Sequence, residues 1–267
     1  MKKRIISAIV MIILILPLII IGDLPFTIFM SLFGVCGLYE LMNVRQKKNN
    51  KIPSIIKALG YIMVVFITFC NTDQIEFTSV FDYRLVAFIV VLFLLPVVFI
   101  DNAKKYNIED AFYLIGIILF IGLSANLIVL TRNYDIKYII YILLITIFSD
   151  TFALITGLLV GKNKLCPNIS PKKTIEGLVG GLLMGTFVAV AFYHTVINPA
   201  LPLVILVLIT GLLSLVSQIG DLVFSSIKRH YEVKDFSNLI PGHGGVLDRF
   251  DSLIFVVFVF IMFIGIL

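Results

Sequence analysis

The 267-residue chain is 60% hydrophobic and 14% charged with a formal net charge of +5, whereas a soluble domain carries roughly 25% charged residues. A chain this apolar needs lipid as solvent, and its Lys and Arg residues fall in short clusters between apolar runs, which argues against a nucleic-acid surface and reads as membrane orientation. Cys36, Cys70 and Cys166 show no CxxC or Cys/His spacing, so they read as reduced, structural residues rather than a metal site or redox pair.

Met1-Lys2-Lys3-Arg4 leads into an apolar run at 5–22 that is too long for a signal-peptide core and lacks an A-x-A cleavage site, so it reads as a retained first helix. Further runs follow at 24–44, 54–70, 84–100, 111–131, 136–160, 178–197, 201–220 and 252–267, each near the roughly 20 residues that cross a bilayer. Continuous runs exclude barrel strands, which would alternate polar and apolar residues. The expected fold is therefore all-α: a polytopic transmembrane helix bundle of about nine spans. Basic residues orient it. With the amino terminus cytoplasmic, one side receives Lys2, Lys3, Arg4, Arg45, Lys47, Lys48, Lys51, Lys104, Lys105, Lys162, Lys164, Lys172, Lys173, Lys228, Arg229, Lys234 and Arg249, leaving Arg84, Arg132 and Lys137 on the other. The chain divides into amino-terminal helices at 1–135 and a carboxy-terminal half at 136–267 that carries the two longer inside connections, 161–177 and 221–251. A site for a charged cytosolic substrate is expected from those two segments.

Ser214, Ser217, Gln218, Asp221, Ser225 and Lys228 recur at three- and four-residue spacing, one face of a helix that cannot point at lipid without cost. Beyond it the chain turns from basic to Gly-rich, ending in Pro241-Gly242-His243-Gly244-Gly245 and Val246-Leu247-Asp248-Arg249-Phe250-Asp251. Glycines there permit positive φ and close approach of N–H groups to a phosphate. Asp248 and Asp251 would share a helical face and can hold a divalent cation through hard oxygen ligands. Asp150, inside the run at 136–160, is an intramembrane acid with a functional reading by default. Ser170-Pro171-Lys172-Lys173-Thr174 enters a Gly-rich helix and offers charge, hydroxyls and a positive dipole end to an anion. Blander readings stand beside these: Gly177 to Gly185 as close helix packing, Lys172 and Lys173 as headgroup contacts. A transporter using Asp150, Asp221 and Asp251 as ion sites is the alternative class.

The run Ser225-Ser226-Ile227-Lys228-Arg229, then Lys234-Asp235, Pro241-Gly242-His243-Gly244-Gly245 and Asp248-Arg249-Phe250-Asp251 resembles the carboxy-terminal signature of the phosphatidate cytidylyltransferase family. Ser217-Gln218-Ile219-Gly220-Asp221-Leu222 and Ser170-Pro171-Lys172-Lys173-Thr174-Ile175-Glu176-Gly177 resemble it in order and spacing. The chain departs from the family at Leu154 and around Leu158, where relatives carry an aromatic and a basic or polar residue. The resemblance implies a multi-pass enzyme of the cell membrane, its active site facing the cytoplasm, that transfers a cytidylyl group from CTP to phosphatidic acid with Mg²⁺, giving CDP-diacylglycerol and pyrophosphate. By the same resemblance Asp221 and Asp248 are the leading metal ligands, followed by Asp150 and Asp251. Asp221, Asp248, Lys228 and Arg249 are the catalytic set. Ser170, Lys172, Lys173, Thr174, Arg229, Lys234, Asp235, Gly242, His243, Gly244 and Gly245 contact substrates. A homodimer is implied by the family alone. A related enzyme acting on another lipid phosphate stays open, because acyl-chain contacts are generic apolar surface.

Overall fold

The computed structural model describes residues 2–47, 52–70, 83–100, 105–242 and 244–267. Among them are nine α-helices: α1 (Lys2–Ile21), α2 (Asp23–Arg45), α3 (Ser54–Phe69), α4 (Tyr83–Phe99), α5 (Ile108–Tyr134), α6 (Ile136–Val160), α7 (Ile175–Phe192), α8 (Leu203–His230) and α9 (Leu247–Phe263). A π-helical turn, Tyr193–Ile197, extends α7, and strands β1 (Lys164–Cys166) and β2 (Ser170–Thr174) stand between α6 and α7. Each apolar run of the sequence is a helix, as expected of an all-α membrane-type fold. Five helices among the described residues are long and apolar enough to cross a bilayer: α2, α5, α6, α7 with its extension, and α8, while α3 and α4 are shorter apolar helices. Lys48, Lys51, Lys104 and His243 lie outside the described residues.

Helix starts follow from side chains that satisfy orphan N–H groups. Asn107 Oδ1 accepts from the Asp110 N–H at 2.9 Å and Asp110 Oδ2 accepts from the Asn107 N–H at 3.1 Å, a reciprocal cap at the start of α5. Asp135 accepts from the Lys137 N–H to open α6, and Thr174 Oγ1 accepts from the Gly177 N–H to open α7.

The chain forms two compact units, neither contiguous in sequence. The first comprises Met1–Asn133 and Asp235–Leu247. Its core includes Met30, Phe33, Leu38, Met42, Val64, Ile67, Ile118 and Ile121. Polar contacts pin helix ends together within it. Arg45, at the end of α2, donates to Asp110 at the start of α5 and lies over the Tyr113 ring, 4.5 Å from its centroid. At the other end of α5, Arg132 donates to the Ile19 and Ile20 carbonyls that close α1. Asn126 of α5 likewise donates to the Thr68 and Cys70 carbonyls that close α3.

The second unit comprises Tyr134–Lys234 and Asp248–Leu267. Here α6 and α7 approach closely because α7 carries glycine where α6 comes nearest: a Cβ at Gly177 would lie 2.6 Å from the Ala153 carbonyl oxygen and one at Gly181 2.5 Å from that of Ser149. Small residues that admit a neighbouring backbone are the usual device for packing helices in lipid, so the bland reading of these glycines is the structural one. Tyr138, Tyr141, Tyr193 and Phe260 cluster near the start of α6, ring centroids 5.3–6.4 Å apart, with the Tyr193 hydroxyl donating to the Leu267 carbonyl. The charged residues lie toward the other end of α6. There the 28-residue α8 outruns the bilayer: at about 1.5 Å per residue it reaches ~42 Å, against a hydrocarbon core of roughly 30 Å. Its last two turns, with Lys228 and Arg229, therefore have the length to stand clear of the hydrocarbon.

Candidate functional site

Within the second unit, α6, β2, α8 and α9 bring four of the acids and two of the lysines named from the sequence into one neighbourhood. Lys173, in β2, donates to Asp221 Oδ2 at 2.7 Å and to the Gln218 carbonyl at 3.2 Å. Lys228, in the last turn of α8, donates to Asp248 Oδ1 in the first turn of α9 at 2.6 Å. Ser252 of α9 donates to Asp150 Oδ2 of α6 at 3.2 Å, and Asp251 Oδ1 accepts from the Ser252 N–H at 2.8 Å. Asp150, Asp221 and Asp251 are close enough to repel one another electrostatically. Acids from three helices thus face each other across lysines from a strand and a helix end.

The expected polar face of α8 divides into two parts. Ser214 and Gln218 are buried in helix packing, Ser214 Oγ lying 3.3 Å from Ser149 Oγ of α6 and Gln218 Nε2 donating to the Leu178 carbonyl of α7 at 3.0 Å. Ser217 Oγ is buried with no hydrogen-bond partner. Asp221, Ser225 and Lys228 continue the same face into the site, Ser225 Oγ sitting 3.3 Å from Asp221 Oδ1. One amphipathic stripe therefore serves packing at one end and joins a cluster of charged groups at the other.

The connection that begins the site is a hairpin rather than an irregular loop. β1 pairs antiparallel with β2, Lys164 opposite Thr174 and Cys166 opposite Ser170. Lys172 is exposed while Lys173 turns to Asp221. Thr174 Oγ1 is engaged as the cap of α7. Arg229 fastens the hairpin to α8, its Nε donating to the Ile169 carbonyl at 3.2 Å, and its Nη1 donates to the Val233 carbonyl at 3.3 Å. Lys234 and Arg249 are exposed.

The Gly-rich segment belongs to the first unit. Ile240 and Gly244 exchange backbone hydrogen bonds at 2.9 and 3.1 Å, closing a tight turn in which Gly242 and Gly244 hold φ of 80° and 90°. Positive φ favours glycine, as the sequence suggested for these two positions. Gly245 has a different reason: a Cβ there would lie 2.6 Å from Glu40 Oε1. Glu40 of α2, fully buried, also accepts from Ser237 Oγ at 2.5 Å and from the Val246 and Leu247 N–H groups at 2.7 and 2.9 Å. Sequence reasoning passed over Glu40. Its signal was available as the one acid inside the apolar run at 24–44, where a carboxylate is costly and seldom idle.

Among the described residues no three His, Cys, Asp or Glu side chains form a ready-made cation cage. The donor chemistry nonetheless suits Mg²⁺, which is ordinarily held by one or two carboxylates plus substrate phosphates and water rather than by an all-protein cage.

An apolar helical bundle that gathers carboxylates and lysines at one end defines a membrane protein with a site fit for phosphate-bearing ligands. The chain belongs to the cytidylyltransferase family, whose sequence profile matches residues 2–267. It is 37% identical to the phosphatidate cytidylyltransferase of Bacillus subtilis (strain 168), over 96% of this chain and 94% of that one. It is 38% identical to the protein of the same name from Staphylococcus saprophyticus, over 96% of each chain, and 36% identical to that from Staphylococcus aureus (strain COL), again over 96% of each.

Proposed function

We infer that this chain transfers the cytidylyl group of CTP to phosphatidic acid, releasing pyrophosphate and CDP-diacylglycerol for phospholipid synthesis. The observation that carries the reading is the pairing of Asp221 with Lys173 and of Asp248 with Lys228 in one unit, in a chain whose full-length relatives bear the name phosphatidate cytidylyltransferase.

A phosphate oxygen of the lipid attacks the α-phosphorus of CTP, forming one P–O bond as the bond to the β-phosphate oxygen breaks and its electron pair leaves with pyrophosphate. The attacking oxygen is already ionised near neutral pH, so no general base is needed. The problem is anion on anion. Lys173 and Lys228, each within 2.7 Å of a carboxylate, are placed to exchange that partner for a phosphate oxygen, while the exposed Lys172, Lys234 and Arg249 gather the phosphates. Ser170 and Thr174 belong to the strand that carries Lys173, and Arg229 holds that hairpin at its Ile169 carbonyl. By the family resemblance, Gly242, His243, Gly244 and Gly245 would approach the triphosphate, with Asp235 a further substrate contact. Asp221 and Asp248, supported by Asp150 and Asp251, would hold Mg²⁺, which when bound neutralises the triphosphate and the charge developing on the leaving group.

The finer topology is part of the same proposal: nine spans, the amino terminus in the cytoplasm, and the site on that side, supported by the basic clusters. A homodimer, implied by the family resemblance, is tested by the mass of the detergent-solubilised particle. The reaction is tested with purified protein in detergent given phosphatidic acid, CTP and Mg²⁺, following pyrophosphate and CDP-lipid. Asp248→Asn, still folded, is expected to lose about two orders of magnitude in turnover, the scale of an essential electrostatic group. A wild-type protein inactive on every lipid phosphate and nucleotide tried would overturn the reading.

A further inference from the structure

We propose that Glu40 is the positioning residue of the Gly-rich segment, acting on CTP affinity from a helix that carries none of the signature. The inference rests on the cytidylyltransferase reading and adds a residue to it. Glu40 is fully buried, and an ionised carboxylate away from water is tolerated only when its oxygens are occupied by donors. Donors to it come from one short stretch. Ser237 Oγ and the Val246 N–H approach Oε1 at 2.5 and 2.7 Å, and the Leu247 N–H approaches Oε2 at 2.9 Å.

These contacts bracket the turn. Ser237 stands before the Ile240 to Gly244 bridge and Val246 two residues beyond it, so one carboxylate ties both legs of the loop. Ser237 Oγ also accepts from the Leu239 N–H at 3.2 Å, passing the constraint one step toward the turn. Leu247 opens α9, and its N–H is one of the donors a helix start leaves without an intrahelical partner. Glu40 supplies that partner from a remote element. Its neighbours on α2 show the same fit: a Cβ at Gly37, one turn earlier, would meet Leu247 Cδ2 at 3.0 Å. Gly245 completes the arrangement, because any side chain there would enter the carboxylate.

A carboxylate that holds both legs of a turn sets where the turn's N–H groups point, and those groups are the ones assigned to the triphosphate. Glutamine in its place keeps the shape but presents an NH₂ group to one of the backbone donors. Glu40→Gln is therefore expected to raise the KM for CTP on the order of 10-fold or more, as loss of a charge-assisted hydrogen bond does, with the KM for phosphatidic acid unchanged and Glu40→Asp partly restoring CTP affinity. Hydrogen exchange at residues 237–247 should accelerate in the same variant, a readout independent of turnover. Ser237→Ala, which removes the side-chain donor at 2.5 Å, is expected to move both measurements the same way by a smaller amount, and it decides the matter if Glu40→Gln does not fold. Wild-type turnover in the same assay tests the reaction itself. The positioning role is overturned if folded Glu40→Gln, or Ser237→Ala in its absence, keeps wild-type CTP kinetics and wild-type exchange at 237–247, or if the KM values for both substrates shift together.

Discussion

Replacing Lys228 with methionine leaves the Asp248 carboxylate without the ammonium that lies 2.6 Å from it, at a position the solvent barely reaches. The companion pair, Lys173 and Asp221, has nearly the same separation, 2.7 Å, so distance does not distinguish them. Burial does. The Lys228 and Asp248 side chains are 12% and 3% exposed, whereas those of Lys173 and Asp221 are 24% and 30% exposed. Removing one partner of a buried pair strands a desolvated charge and costs about 3–5 kcal/mol. Breaking a pair that water reaches costs about 0.2–1 kcal/mol. Lys228→Met should therefore destabilise the protein several times more than Lys173→Met, although both remove one ammonium. Lys228→Met combined with Asp248→Asn should recover much of the loss, because no stranded charge remains. Unfolding in mixed micelles, followed by circular dichroism across a denaturing-detergent titration, compares the four proteins under one condition. If Lys228→Met lies within about 1 kcal/mol of wild type, or the double variant is no more stable than the single, burial is not what sets the strength of this pair.

Glycine positions give a second contrast: Gly181→Val, whose Cβ would lie 2.5 Å from the Ser149 carbonyl oxygen, should cost about 1–3 kcal/mol or more by overpacking. Gly116→Ala, with nothing within 4 Å of the new Cβ, should instead gain about 0.5–1 kcal/mol, and the same titration reads both. Lys172→Ala is expected to raise the KM for an anionic substrate while leaving the unfolding midpoint unchanged, since this side chain is exposed in β2; a shifted midpoint would assign it to the fold. Chelation should abolish turnover, and Mg²⁺ with CTP should raise the melting temperature more than Mg²⁺ alone, because the described residues form no three-ligand cage. Equal shifts would show a preformed site.

Helices were readable from the sequence because apolar runs of bilayer length have few other ways to satisfy their backbone in lipid. Their ends were less so. α8 continues through Lys228 to His230 and α9 begins at Leu247, since charged residues that leave the bilayer can stay helical. The lysine and carboxylate partners were foreseeable as a group from the spacing on α8, but not as pairs. Which lysine answers which acid depends on Lys173 turning to Asp221 while Lys172 stays exposed, a difference between adjacent residues of a five-residue strand. Arg229, read as a phosphate clamp, also binds the Ile169 carbonyl, a contact between residues 60 positions apart that no local pattern displays. Glu40 was hidden for the same reason, and the packing role of Gly245 with it.

The partners of Glu40 lie 197 to 207 residues further along the chain, and this separation bears on how the protein is made. At roughly 5–20 residues per second of synthesis, the segment that satisfies the carboxylate emerges on the order of 10–40 s after α2. Throughout that interval the nascent helix carries an acid whose final donors do not yet exist, so the newborn hairpin of α1 and α2 must keep it near water, protonated, or shielded by the insertion machinery. The first unit is thus completed from a segment translated long after its helices, and a chain released before that segment lacks the donors that close it.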